Sequence, residues 1–336
     1  MGEFELLARI RERLPASGAR THLGSGDDAA VTVPGGATAT SVDALVDGVH
    51  FRRDLASPTQ IGHKALATAL SDLAAMGAEA GEAYVVLGLP PDFSEEQCLE
   101  LLDGMTALAT ATGTDLVGGD LSRASELFLA ITVVGHAPDP AALVQRAGAQ
   151  PGDALMLTGE IGGAAAGLAL LENPHLETDF VFSGAIGGEK AKSATKGLVE
   201  RQLEPVPRLL AGQALAQAGA TAMIDLSDGL GADAGHLAQS SGVKLEIEAE
   251  AVPLAPAAVA LGEATGRDPW WLLSGGEDYE LLASVPAAQL EQATEAVLSE
   301  GGLPLTKVGE VGTGSGVEIR LPGGRLQEPA GFDQLA

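Results

Sequence analysis

The chain holds a single cysteine, Cys98, so no intrachain disulfide can form. It also lacks the clustered Cys and His of a zinc site. Aromatic residues make up 3% of the sequence, which leaves Ala, Leu and Val to fill any core. No apolar run approaches the roughly 20 residues of a membrane span. The opening segment MGEFELLARIRERL has the pattern of an amphipathic helix rather than a signal peptide, so a cytoplasmic location is expected. The sequence has no G-x-x-x-x-G-K-[ST], and no G-x-G-x-x-G follows a strand, so P-loop and dinucleotide-binding folds are unsupported. Bases are scarce: 19 Lys and Arg face 46 Asp and Glu, for a formal charge of −27. Such a field repels nucleic acid and anionic membrane surfaces. Most of these acids read as a solvated surface. If the ligands are phosphates, cations must lie between them and the carboxylates.

Hydrophobic residues form 46% and charged residues 19% of the 336 positions, enough apolar material for two cores. Two domains are expected at this length. Strand-like and helix-like segments alternate throughout, which predicts an α/β or α+β architecture. Strands are expected at 38–43, 83–89, 154–158, 222–225, 244–247, 281–284, 306–311 and 317–321. Another pair, 116–117 and 127–134, would flank a turn holding Gly118, Gly119 and Asp120. The apolar spacing predicts helices at 59–76 and 94–110, the second opened by a Ser94–Gln97 capping box that places Cys98 in its buried face. The stretch 136–153, rich in Pro, Gly and Ala, marks the domain junction, giving domains 1–147 and 148–336. Residues 172–200 are polar, charged and Gly-bearing, and read as a long loop or mobile segment.

Acids recur beside Gly or Ser at the ends of apolar strands: Gly26-Asp27-Asp28, Ser41-Val42-Asp43, Gly118-Gly119-Asp120, Asp225-Leu226-Ser227-Asp228 and Gly275-Gly276-Glu277-Asp278. Oxygen ligands of this kind suit a hard cation such as Mg²⁺. Each piece alone is an ordinary turn pair; five together are stronger. Asp72 adds a lone acid to an otherwise apolar helix, where burial would be costly. Periodicity alone leaves open whether it faces solvent or a site. Asp225 and Asp228 bracket a strand-to-helix turn around Ser227, where Asp228 could cap the helix or bind metal. His50 follows a strand and a turn and, alone, reads as a structural histidine; Arg146 lies in the presumed interdomain loop, where it could clamp a phosphate but alone reads as a solvated loop residue. Trp270 and Trp271 read as packing residues.

Six motifs appear in one order: GDDAAV (26–31), SVDALVDGVHF (41–51), LSDLAAMGA (70–78), GGD (118–120), IDLSDGL (224–230) and SGGEDYEL (274–281). With GFD at 331–333, this set resembles the thiamine-monophosphate kinase family over essentially the whole chain. Single elements recur across the wider superfamily of aminoimidazole ribonucleotide synthetase-like ATP-binding proteins. The resemblance implies a two-domain aminoimidazole ribonucleotide synthetase-like fold and a homodimer whose N-terminal sheets pair. It implies transfer of a phosphoryl group from ATP to thiamine monophosphate, giving thiamine diphosphate.

By the same resemblance, Asp28, Ser41, Asp43, Asp72, Asp120, Asp225 and Asp228 would hold several Mg²⁺ ions, with Val42 contributing its carbonyl. Gly119, Asp120, Arg146 and Ser227 would contact ATP. His50, Glu277 and Phe332 would meet thiamine monophosphate. Asp72, Asp120 and Arg146 would carry catalysis. Two stretches depart from the family pattern: residues 172–200 and the ending GFDQLA, where Phe332 alone is transferable. A selenophosphate synthetase-like reading would need a reactive residue near the N-terminus, and the sole Cys is Cys98. A non-catalytic nucleotide or metal sensor, or an acidic structural protein adapted to high salt, remain readings from other classes.

Overall fold

A computed structural model describes residues 3–15, 18–25, 29–183 and 188–332. Asp28 therefore lies outside the described residues. The chain separates into two compact units: residues 1–73 with 78–142, and residues 74–77 with 143–336.

The first unit contains α1 (Glu3–Arg13), β1 (Thr21–Leu23), β2 (Val31–Thr32), β3 (Ala37–Val46), α2 (Pro58–Ala75, its last two residues counted with the second unit), β4 (Glu79–Leu89), α3 (Glu95–Thr112), β5 (Asp115–Arg123) and β6 (Phe128–Ala137). Its main sheet has the order β3-β6-β4-β5. The pairs are antiparallel except β4 with β5, which run parallel through the α3 crossover. Alternation sorts the side chains by face. Ala39, Leu45, Leu129, Ile131, Val133, Ala83 and Leu87 are buried on one face. The opposite face of β3 presents Thr38, Thr40, Val42 and Ala44, all exposed.

Helices α2 and α3 touch backbone to backbone. A Cβ at Gly62 would land on the Leu101 carbonyl, and one at Gly104 on the Thr59 carbonyl. Glycine at both positions is therefore a packing requirement. The Ser94–Gln97 capping box forms as the sequence predicts. Cys98 is fully buried, and burial pushes its thiol up to about 11.

Gly118, Gly119 and Asp120 correct the sequence reading. They lie within β5, not in a turn before the next strand. As an edge strand, β5 tolerates the two glycines because it pairs on one side only.

The second unit carries β7 (Ala154–Thr158), α4 (Gly163–Glu172), α5 (His175–Ser183), α6 (Gly188–Leu203), α7 (Leu209–Gln217), β8 (Ala222–Asp225), α8 (Leu230–Ser241), β9 (Lys244–Glu248), α9 (Pro256–Ala264), β10 (Leu281–Val285), α10 (Leu290–Ala296), β11 (Leu305–Gly312), β12 (Gly316–Arg320) and β13 (Leu326–Gln327). Its sheet runs β13-β12-β9-β11-β7-β10-β8. The pairing is antiparallel except between β9 and β12. The strands β7 and β10, inside the sheet, and β8 at its end are buried at every residue, as expected where both faces are covered.

A second correction concerns residues 172–200, which form α5 and most of α6 instead of a long loop. Phe180, Ala191 and Leu198 from this stretch join Ala166, Leu170, Ala258, Leu261 and Leu272 in a core cluster, with Trp271 packed against it. Sparse apolar residues suffice there because the small residues of α4 let the helices close up: a Cβ at Gly167 would strike the Leu198 carbonyl. Phe180 is the single aromatic among the largest fully buried side chains, as the composition implied. No described helix is long and apolar enough to cross a membrane.

Candidate active site

In the first unit the candidate residues fall into two groups. Ser41 lies on the helix-facing side of β3 and donates its hydroxyl to Asp72 Oδ2 on α2. Asp72 is half-buried on the sheet-facing side of α2, which resolves its orientation toward other site residues. Asp43 lies two residues along the same face and accepts the Ala44 N–H through Oδ1 at 2.8 Å. Val42 points the other way and is 66% exposed, so it can offer this group only its carbonyl. His50 follows the β3 strand end, where its Nδ1 accepts the Val46 N–H at 3.0 Å. That bond fixes the tautomer with the proton on Nε2 whenever the ring is neutral.

The second group, Gly119 and Asp120, sits at the far edge of the sheet. The register aligns Asp43 with Ile131, Val85 and Gly119, one residue per strand. Three strand spacings therefore separate Asp43 from this edge, about 14 Å. Asp120 shares a row with Val86, Ala130 and Ala44, on the face opposite Asp43. A single copy of the sheet does not bring Asp120 to the Ser41–Asp43–Asp72 group.

In the second unit one turn organises the site. β8 ends at Asp225, which is 4% exposed, and the chain turns through Ser227 and Asp228 into α8. The segment 275–280 is laid against this turn. Glu277 N–H donates to the Ser227 carbonyl at 2.8 Å and Tyr279 N–H to the Leu226 carbonyl at 2.9 Å. Glu277 and Tyr279 both take left-handed backbone angles, with φ of 68° and 50°. Non-Gly residues adopt that region at a cost when the surroundings impose it. The residues between and after them supply the clamp. Asp278 accepts the Gly162 and Ala164 N–H groups at the start of α4, at 2.6 and 3.1 Å. Glu280 accepts Thr158 Oγ1 at 2.6 Å and both Nε and Nη2 of Arg208, at 3.1 and 2.6 Å. Phe332 is anchored at the same turn, its N–H donating to the Asp228 carbonyl at 2.9 Å while its ring is 55% exposed. Asp225, Ser227, Asp228, Glu277 and Phe332 are thus neighbours. Arg146 is exposed, and its backbone carbonyl accepts Ser241 Oγ at 2.9 Å. The adjacent Gln145 carbonyl accepts the Met223 N–H, so Arg146 runs beside β8.

Asp233 escaped the sequence reading. It, not Asp228, caps the turn: its Oδ2 accepts the N–H groups of Asp228 and Gly229, both at 3.0 Å. A signal was present, an acid in the first turn of a predicted helix, five residues after Asp228. Burial, with the charges of Asp225 and Asp228 beside it, pushes Asp233 up to about 7. Three acids thus crowd one turn. An acid raised in the folded state makes stability fall as pH rises from its ordinary range through the raised value. In metal-free buffer Asp233→Asn, which keeps an acceptor for both N–H groups, is therefore expected to melt higher than the parent at pH 8. The gap should narrow as pH falls to 5; equal gaps at both pH values would refute the crowding.

The donors fit a hard divalent cation: they are all carboxylate, hydroxyl or carbonyl oxygens. Among the described residues no three His, Cys, Asp or Glu side chains form a closed cage. Mg²⁺ does not require one, because it keeps waters and completes its shell with substrate phosphates.

Residues 26–137 match the family model of AIR synthase related protein, N-terminal domain, and residues 150–322 that of its C-terminal domain. A thiamine-monophosphate kinase of Salmonella typhimurium is 39% identical over 316 residues, covering 92% of this chain and 90% of that protein. The chain belongs to the thiamine-monophosphate kinase family. Solved members share its fold. The Stenotrophomonas maltophilia thiamine-monophosphate kinase superposes with a TM-score of 0.78 at 32% identity, covering 97% of this chain and 98% of that one. AaThiL complexed with AMPPCP and TMP gives 0.75 at 29% identity, covering 98% and 96%. The expected two-domain fold of mixed sheets and helices is therefore borne out.

Proposed function

We propose that this protein transfers the γ-phosphoryl group of ATP to the phosphate of thiamine monophosphate, giving thiamine diphosphate and ADP. Kinship with thiamine-monophosphate kinases along nearly the full chain carries this reading. The gathering of Asp225, Ser227, Asp228, Glu277 and Phe332 around one turn supports it. AaThiL, complexed with AMPPCP and TMP, supports ATP as the donor.

The residues would divide the work as follows. Asp28, Ser41, Asp43, Asp72 and the Val42 carbonyl, with Asp120, Asp225 and Asp228, would hold Mg²⁺. Bound there, Mg²⁺ would neutralise phosphate charge. Gly119, Arg146 and Ser227 would contact ATP. His50 would offer its Nε2 proton to the substrate, Glu277 its carboxylate, and Phe332 its exposed ring.

A phosphate monoester has a second pKa near 6, so near pH 7 the acceptor is mostly a dianion and needs no general base. A lone pair on its oxygen forms the new P–O bond while the bond from the γ-phosphorus to the bridging oxygen breaks and ADP departs. Repulsion between the two anions is the obstacle, and the exposed Arg146 would offset part of it. Transfer is direct, without a phosphoenzyme.

The protein would act as a cytoplasmic homodimer, domains 1–147 and 148–336 being its working parts. The exposed β3 face with Val42 is the surface we assign to sheet pairing. Pairing would also supply the Asp120 edge from a partner copy, which one sheet leaves on the wrong edge and face.

A purified-protein assay with ATP, Mg²⁺ and thiamine monophosphate, following thiamine diphosphate by chromatography, tests the reading. Product from the monophosphate but not from free thiamine, abolished by chelator, is expected. Absence of product while ATP still binds would assign another substrate. A phosphorylated protein on the pathway would overturn direct transfer.

A further inference from the structure

Residues 172–200 and the helix they lead into received no role from the sequence, yet the last turn of α6 reaches the candidate substrate residue Glu277. Gln202, 4% exposed, donates its Nε2 to Glu277 Oε2. Its other amide atom, Oε1, is buried and has no hydrogen-bond partner among the described residues. Turning the amide over would set two acceptor oxygens together, so the Glu277 carboxylate dictates the orientation. An amide that leaves its own carbonyl unsatisfied to make one bond is a poor choice for stability alone, since an apolar side chain of the same length would fill the space without the desolvated oxygen.

We propose that Gln202 is a positioning residue: it aims the Glu277 carboxylate at the substrate. The backbone argument points the same way. The clamps on Asp278 and Glu280 hold the segment in its left-handed turn, but neither touches the Glu277 side chain. Gln202 restrains that side chain directly, from a separate helix. Its neighbour Arg201 ties the same helix to the segment between β7 and α4, donating to the Glu160 carbonyl and carboxylate at 3.2 Å each. Because the bond goes to a carboxylate that would meet a cationic, amino-bearing heterocycle, the effect falls on affinity for thiamine monophosphate and not on ATP. The inference rests on the reading of Glu277 as a substrate contact.

Gln202→Met keeps the length and removes the donor. It is expected to leave the melting temperature equal to or above the parent, raise KM for thiamine monophosphate about 10-fold, and leave KM for ATP and kcat nearly unchanged. Glu277→Gln should raise the same KM, and the double variant should be no worse than Glu277→Gln alone. An unchanged KM in Gln202→Met, additive effects in the double variant, or a lowered melting temperature with equal losses for both substrates would each overturn the role of Gln202. An unchanged KM in Glu277→Gln itself would overturn the substrate role of Glu277 as well, which separates the two failures.

Discussion

Asp72→Asn is expected to lower kcat by about 10²-fold or more, with little change in stability. The substitution keeps volume and shape on α2, and Ser41 Oγ retains a partner in the amide. It removes one full negative charge from the Ser41–Asp43–Asp72 group. If this group holds cations against the phosphates, the loss appears in the charged transition state, where neutralisation counts most. The control is Asp54→Asn in the same unit. That acid is 64% exposed and pairs with its neighbour Arg52. Surface pairs of this kind contribute little, so turnover should stay at the parental level. Steady-state assays at saturating Mg²⁺ and both substrates decide the matter. Near-normal turnover for Asp72→Asn would remove it from the list of metal ligands and leave its bond to Ser41 as a packing detail.

Arg208→Met carries the largest expected effect on stability. Glu280 is 2% exposed and Arg208 25%, and the guanidinium grips both carboxylate oxygens. Thr158 Oγ1 binds the same carboxylate and also accepts the Leu281 N–H at 2.8 Å, so the network joins β7, β10 and α7. Removing one partner of a buried pair strands the other charge, which costs about 3 kcal/mol where one partner keeps some solvent. Burial already pushes Glu280 upward, and Arg208 opposes that shift. Without the arginine the carboxyl rises further, and the folded state then binds a proton that the unfolded chain has released. Stability must fall with rising pH in that window. Chemical denaturation should therefore show a larger loss at pH 8 than at pH 6. A loss that is small and independent of pH would mean that the pair is not a structural clamp. Because Glu280 closes the segment that carries Glu277, KM for thiamine monophosphate should rise in the same variant.

Much of this was legible in the chain itself. The alternation of apolar segments located the long strands of both sheets and the helices α2 and α3, because burial on one face imposes a period on the sequence. The Ser94–Gln97 cap and the buried Cys98 followed from local rules alone. The ordered Gly-Asp motifs named the family.

Other features depend on distant partners and carry no local signature. Periodicity could not say which way Asp72 faced; the bond from Ser41 on β3, 31 residues away, decides it. The helices of 172–200 are stabilised by α4 and α9, so their own polar composition misled. Gly118, Gly119 and Asp120 look like a turn until pairing with β4 makes them an edge strand. Gln202 is unremarkable in sequence and acquires meaning only from the carboxylate of Glu277; Asp233 shows in sequence as a first-turn acid, but only its bonds to the N–H groups of Asp228 and Gly229 reveal what it does. The sequence alone determined the family, the elements and the residue types available for chemistry, because these depend on local pattern and on motifs. Tertiary structure alone decided which acids share a face, which turn is clamped and which amide aims a carboxylate, because hydrogen bonds and burial join residues far apart in the chain.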